Sequence, residues 1–329
     1  MTDGRIEVIG SAVDLRDEWD AAAGGNLFLK KRALLVLEDV NPCGQLYHIA
    51  SGAGPSSIAV TYRHRLNLLT YGVGSFSIPV TIVGIPCSVS SSGFSMSAGT
   101  KDCLIDHLRG LRGTKVVLNA ENGSLAGFVQ GSTLPTCRLD VKWASFEEYL
   151  SSMRSHYRYK LGKARSAWSQ VSVSTVDNDS FGEDLHELYL SVFKRSRYKL
   201  EKLGIGFFRK FPSVIEQFKV GDRPIGFLQT VCSGGELIFM FAGMDYEVSQ
   251  EYETYINILL HVIRKGIEAG CSSIDLGQTS EETKCRLGCR LVTKGLCAAH
   301  SSRTGHLALS AMARALSYRH KEHEYRVFK

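Results

Sequence analysis

The chain has 329 residues, 44% hydrophobic and 22% charged, an ordinary globular composition that calls for one large domain or two packed ones, not a single small module. Its net charge of +6 is too small to imply a histone-like or ribosomal partner. The first ten residues carry Asp3 and Glu7 where a secretory leader is basic and then apolar, and Pro79 and Pro86 interrupt the most apolar stretch, so a soluble cytoplasmic protein without stable membrane association is expected. In chain order, β-branched runs at 57–62, 66–71, 80–85 and 115–118 read as strands, and helical spacing appears around 15–22 and 104–111, where Leu104, Leu108 and Leu111 recur. The Ser/Gly-rich run 87–100 reads as a surface loop or the lining of a cleft.

The character changes at Ser145, which makes an S-x-x-E capping box with Glu148 and opens a helix carrying Leu150, Met153, Tyr157, Leu161, Ala164 and Trp168 on one face. A domain boundary at 144/145 follows, dividing the chain into 1–144 and 145–329. Further helices are read at 185–193 and, from Phe208, Phe211, Ile215 and Phe218, at 208–218. A hairpin then pairs 225–232 with 237–242 around Ser233-Gly234-Gly235-Glu236. The long helix after it has Tyr252, Tyr255, Ile256, Leu259, Leu260, Ile263 and Ile267 on its buried stripe and ends at Gly270. A short strand runs to Leu276, and a last helix at 307–318 is expected to pack through Leu309, Met312, Ala313 and Leu316, leaving a polar tail.

Nine cysteines in a large domain are expected to be reduced, mostly buried thiols. Cys285, Cys289, Cys297 and His300 supply enough ligands for tetrahedral zinc, but they lack a tight C-x2-C turn and two of them fall in a strand-like stretch, so no metal is expected.

Four places in order resemble the GNAT-fold acyltransferases, and among them the Fem-like aminoacyltransferases. Tyr157-Arg158-Tyr159-Lys160-Leu161-Gly162-Lys163-Ala164-Arg165 is similar to the family's arginine-bearing helix, and Gly221-Asp222-Arg223-Pro224-Ile225-Gly226 to its "G-x-x-i-G" strand. Asp275-Leu276-Gly277-Gln278-Thr279 resembles its "D-f-G" strand end, and Lys284-Cys285-Arg286-Leu287-Gly288 its "K-x-r-f-G" turn, although Thr283 stands where an aromatic residue often precedes the lysine. The resemblance implies an α/β (α+β) fold with a mixed splayed sheet flanked by helices, in two tandem GNAT-like domains of which the first is degenerate. It further implies that Lys284, Asp275 and the backbone at Ala242 and Gly243 serve the chemistry, and that Arg158, Tyr159, Lys163, Arg165, Gln278, Thr279 and Arg286 hold substrate.

Acyl transfer to an amine requires a neutral amine, a donor for the developing oxyanion and exclusion of water. No metal or prosthetic cofactor is implied. Family members that use acetyl-CoA carry a glycine-rich loop for its pyrophosphate after the hairpin. Residues 244–253 contain no glycine here and hold Asp245, Glu247, Glu251 and Glu253, which disfavours that donor. Fem-like members also lack that loop, and the resemblance to them implies as partners an aminoacyl-tRNA or acyl thioester donor and a small-molecule amine, from a metabolite or a cell-wall precursor. Two readings stay open: an acyltransferase taking acyl-CoA or an acyl carrier protein in an unusual mode, and a non-catalytic nucleic-acid-binding or scaffold protein on the same fold. Basic blocks at 154–165, 194–210 and 303–329 concentrate positive charge in the C-terminal half and together suit a polyanionic partner; each alone reads by default as a solvated face.

Overall fold

The computed structural model describes residues 4–71, 74–120, 125–319 and 325–329. Its elements are β1 (Arg5–Ile9), α1 (Asp17–Ala23), α2 (Lys31–Val40), β2 (Leu46–Ser51), β3 (Ser57–Asn67), β4 (Ser77–Val83), β5 (Phe94–Ser95), α3 (Lys101–Gly110), β6 (Thr114–Ala120) and β7 (Val129–Asp140). They continue with α4 (Phe146–Ser152), α5 (Ser155–Ala167), β8 (Ser172–Val176), α6 (Glu183–Arg195), α7 (Ile205–Lys210), β9 (Val214–Val220), β10 (Arg223–Ser233) and β11 (Glu236–Met244). The remainder is α8 (Thr254–Glu268), β12 (Ser273–Asp275), α9 (Glu281–Cys285), β13 (Arg290–His300) and α10 (Arg303–Leu316).

The chain forms two compact units: Met1–Leu134 with Thr293–His320, and Pro135–Val292 with Lys321–Lys329. In the first, strands run in the order β1-β2-β3-β4-β6-β13. All neighbours are antiparallel except β4 and β6, which are parallel from Thr81↔Lys115 to Val83↔Val117. Parallel neighbours need a crossover, and the segment carrying α3 supplies it, burying Leu104, Ile105 and Leu108. In the second unit the order is β7-β12-β11-β10-β9-β8, again antiparallel except for one pair, β11 and β12. Here the crossover is α8, whose buried stripe joins Phe218, Leu228, Leu237 and Ile274 in the core.

The two units thus repeat one plan: helices after a first strand, three antiparallel strands, a crossover helix, a parallel strand and a closing antiparallel strand. The closing strands are exchanged. β7 follows β6 in sequence but pairs with β12, whereas β13 follows the second unit's elements and pairs with β6. That exchange makes both units discontinuous, where the sequence suggests a cut at 144/145.

Local chemistry sets most boundaries. Gly234 and Gly235, at φ 57° and 78°, make the two-residue turn between β10 and β11. Gly270, at φ 66°, ends α8, with the Cys271 N–H returning to the Gly266 carbonyl at 3.0 Å. Ser145 Oγ accepts the Glu148 N–H at 3.1 Å, and Glu148 answers by accepting the Ala144 N–H at 2.8 Å.

Five features differ from expectation. The helix opened by Ser145 breaks at Met153, because the Arg154 N–H donates to the Val327 carbonyl at 2.9 Å and Met153 bridges Phe328. The end of the expected polar tail is thus an anchor, with Val327 buried and Phe328 packed on Trp143; His320 to Glu324 of that tail lie outside the described residues. The expected helix at 208–218 ends at Lys210. Pro212 follows, and Ile215 and Phe218 belong to β9. The run 66–71 is not a second strand, since β3 ends at Asn67, whose Oδ1 accepts the Leu69 and Phe76 N–H groups in a turn. In α10 only Leu309 is buried, and Met312 is exposed.

Candidate functional site

The second unit opens where its parallel strands part. The β11–β12 ladder stops at Ile238↔Asp275, yet β11 continues to Met244. From Leu276 the chain follows β7 instead: the Leu276 N–H donates to the Cys137 carbonyl at 2.8 Å, and the Cys137 N–H to the Gly277 carbonyl at 3.1 Å. A wedge results, with the outer half of β11 on one side and residues 275–284 on the other.

The second wall is held by two ionisable groups. Asp275, 9% exposed, accepts the Thr136 hydroxyl at 2.5 Å and the Gly277 N–H at 2.7 Å on the same oxygen, which fixes the turn after the strand. Lys284, 2% exposed on α9, donates to the carbonyls of Gly277 at 3.2 Å and Gln278 at 2.8 Å. Between them the backbone is left-handed at Gly277, Thr279 and Ser280, with φ 72°, 67° and 49°. Two of these residues carry side chains, so the loop stores strain that Asp275 and Lys284 hold in place. Gln278 and Thr279 are half-buried on that loop.

The thiols beside Lys284 are not thiolates at neutral pH. Burial pushes Cys137 up to about 12, against the opposing pull of Lys284, and burial also raises Cys285 and Cys289. A cysteine nucleophile has no support here.

On the first wall, the Asp245 N–H bonds the Ile225 carbonyl on β10 at 2.9 Å. Strand alternation then turns the Gly243 N–H toward β10 as well and the Ala242 N–H toward the wedge. Gly243 is small for a packing reason: an added Cβ would lie 2.3 Å from Phe227 and 2.8 Å from the backbone of Leu188 in α6. The ladder irregularity in β11 falls at Met240, opposite the Gln229/Thr230 step, not at Gly243.

The other residues singled out in the sequence lie elsewhere. Arg158 donates to the carbonyls of Ser151 in α4 and of Met153 at the break between α4 and α5. Tyr159, 77% exposed, and Lys163 are on the open side of α5, and Arg165 lies over the Phe146 ring at 5.5 Å. The helix is joined to α8 by the Asn257 amide, which donates to the Ala164 carbonyl at 2.8 Å. Arg286 pairs with Glu282 at 2.6 Å and faces Tyr325. Cys297 donates to Gln130 and His300 accepts the Ser302 N–H, and no cluster of metal-ligating side chains occurs among the described residues.

Residues 245–253, between β11 and α8, use their own polar groups. Arg223 pairs with both Asp245 and Glu247, which offsets part of the acidity read from the sequence. The Glu247, Tyr252 and Thr254 N–H groups go to Asp245, Val248 and Ser249. These bonds hold the turn with its own side chains and carbonyls, where a glycine-rich loop would present its amides outward.

The first unit has the corresponding wedge, and it is filled. Its parallel ladder stops at Val83↔Val117, so Val117 stands where Asp275 stands, and Asn119, at φ 56°, where Gly277 stands. The Asn119 amide donates to the carbonyls of Val89 and Ser91, and Ser92 donates back to the Asn119 carbonyl. Gly93 then packs on Gly84 so closely that a Cβ would fall 2.3 Å from its Cα. The Ser/Gly-rich run is the plug of this wedge; the repeat that assigns it that role leaves no trace of sequence identity to find it by.

With the geometry in place, comparison with known proteins is informative. Residues 151–284 match the family described as an acetyltransferase (GNAT) domain. No curated protein matches the chain by sequence. Among solved structures, FemX is similar at a TM-score of 0.60 and 11% identity, over 92% of this chain and 100% of that one. L-PGS from Bacillus licheniformis is similar at 0.55 and 10%, over 94% and 98%. The fold is that of the GNAT acyltransferases, Fem-like members included, with both units of the repeat present.

Proposed function

We propose that the second unit transfers an acyl or aminoacyl group from an activated ester, with aminoacyl-tRNA the favoured donor, to the amine of a small metabolite or cell-wall precursor. The observation that carries this reading is the wedge itself: a buried carboxylate and a buried ammonium brace one wall, and an unpaired stretch of strand forms the other. The first unit, with Val117 and Asn119 at the matching positions and its opening filled, has the scaffold role.

In the proposed reaction the amine nitrogen adds to the ester carbonyl carbon. The carbonyl oxygen gains charge against the Ala242 N–H, and the carbon–oxygen bond to the donor breaks. The proton lost by the amine ends on the leaving oxygen, so atoms and charge balance without a metal or prosthetic group. Lys284 has three hydrogens and spends two on loop carbonyls; the third is assigned to the donor's ester oxygens. Asp275 is a positioning residue that keeps Gln278 and Thr279 over the acceptor. Lys163 and Tyr159 on the open side of α5, with Arg158 and Arg165 along its flank, give the helix exposed basic groups suited to a phosphate backbone, and Arg286 extends the binding surface near α9. The stretch between β11 and α8, with no glycine and with Asp245, Glu247, Glu251 and Glu253, supports a donor other than coenzyme A. The free state of all nine cysteines supports a reducing, cytoplasmic setting, and no described helix is long and apolar enough to cross a membrane.

The test is donor binding. Charged tRNA is expected to bind with an affinity that falls steeply with salt and to lose that dependence in an Arg158/Lys163/Arg165 triple alanine variant. Indifference to tRNA, with free thiol released from an acyl-CoA panel, would move the donor to a thioester.

A further inference from the structure

The first unit contains an open surface hollow that acyl transfer does not use. It measures about 690 Å³ and is lined by Arg63, His64, Arg65, Pro79, Val80, Thr81, Arg112, Gly113 and Thr114. It lies at the end of the β4–β6 pair opposite the plugged wedge, since Thr81 begins the ladder that Val83 ends and Pro79 and Val80 precede it. Three guanidinium groups and no carboxylate line the wall, and all three arginines are exposed.

The arrangement is built rather than incidental. Arg63 and Arg65 lie two apart on β3 and share a face, about 7 Å apart along the strand. Arg63 pairs in register with Thr81, and Thr81 with Lys115, so the three form a row across β3, β4 and β6. Lys115 is fully buried behind the loop that carries Arg112, and its ammonium donates to the carbonyls of Leu111 at 2.7 Å and Gly113 at 3.1 Å. Ser301 grips the same loop from the other side, accepting the Gly113 N–H at 3.0 Å and donating its own N–H to the Gly113 carbonyl at 3.1 Å. Arg112 is therefore presented on a fixed turn. Among the described residues, these guanidinium groups make one bond to the protein, from Arg65 to the Ser77 carbonyl at 3.2 Å.

We propose that this hollow binds a small molecule bearing two linked phosphates. Guanidinium groups fork onto phosphate oxygens, and clustered arginines without carboxylates select for anions. Two guanidinium groups on one strand face and a third on the β6 loop supply more forked donors than one phosphate needs and suit a diphosphate. The hollow is open to solvent along its arginines, and Pro79, exposed on its floor, offers an apolar contact to whatever the diphosphate is attached to. The site is independent of the acyl-transfer reading, because it lies within the first unit and shares no residue with the wedge.

The experiment is calorimetric titration of the full chain with inorganic pyrophosphate and, separately, with ADP. Wild-type protein is expected to bind at least one of them, more weakly as salt rises. Arg63→Ala/Arg65→Ala and Arg112→Ala are each expected to weaken binding at least tenfold, which is about 1.4 kcal/mol. Arg112→Lys, which keeps the charge and loses the fork, falls between. All three positions are exposed, and an unchanged melting temperature confirms that each variant is folded. The proposal is overturned if neither diphosphate binds, if binding persists undiminished in the double variant, or if only an RNA oligomer binds.

Discussion

Lys284→Met separates a lysine that organises the loop from one that merely decorates the surface. Methionine fills much the same volume but removes the ammonium, leaving the Gly277 and Gln278 carbonyls without their donor. Hydrogen bonds from a charged group contribute about 1.5–3 kcal/mol each. Relief of the desolvation that a 2% exposed lysine suffers offsets part of that loss. A net destabilisation of about 2–3 kcal/mol follows, and for a unit of this size it lowers the melting temperature by about 4–12 °C. The strained residues Thr279 and Ser280 lose their brace, so amide exchange should accelerate across 276–285 while the β10–β11 hairpin keeps its protection. Thermal denaturation and hydrogen exchange read these effects directly. A melting temperature within 2 °C of wild type, with unchanged protection in the loop, would refute the bracing role and return Lys284 to an ordinary side chain.

Three further outcomes follow from particular contacts. Gly243→Ala places a methyl group against Phe227 and the backbone of α6, and is expected to cost about 1–3 kcal/mol in chemical denaturation; a neutral result would show that α6 moves away freely. Asn119→Ala releases the plug of the first unit, so limited proteolysis should cut within 88–92 faster than in wild type, with the wedge of the second unit unaffected. His48 is buried, donating to or accepting from His107 and Thr61, and burial lowers its pKa to about 4; His107 is lowered as well. Between pH 6.5 and 4 the unfolded chain therefore binds more protons than the folded one, so stability falls as pH falls through that window, by about 3 kcal/mol from His48 alone. His48→Gln should flatten that part of the stability profile, and an unchanged slope would count against the assignment.

Much of the second unit is legible in its sequence because local rules act there without competition. Gly234-Gly235 can only turn, Gly270 ends a stripe that begins at Tyr252, and Ser145 with Glu148 starts a helix. Long-range pairing hides the rest. Nothing near Met153 announces that residues 325–329 return to split its helix, and the aromatic spacing from Phe208 to Phe218 looks helical although Pro212 divides it. The repeat is invisible because equivalent positions hold unlike residues: Asp275 and Val117, Gly277 and Asn119. Exchange of β7 and β13 between the units likewise rests on pairings more than 130 residues apart. For the site, Asp275, Gln278 and Lys284 are close in sequence and meet on one loop, whereas the residues on α5 are joined to the core through Asn257 and stand on its surface.

The most direct measurement is transfer itself. Aminoacyl-tRNA labelled in the amino acid is incubated with the protein and a pool of small amines, and the label is followed from a base-labile ester into a base-stable amide. The account predicts that wild-type protein forms the amide, that Lys284→Met and Asp275→Asn lose at least a hundredfold in rate, and that Val117 and Asn119 variants of the first unit do not. Label that remains wholly in the ester with every amine supplied, or an amide that forms equally well without Lys284 and Asp275, would contradict it.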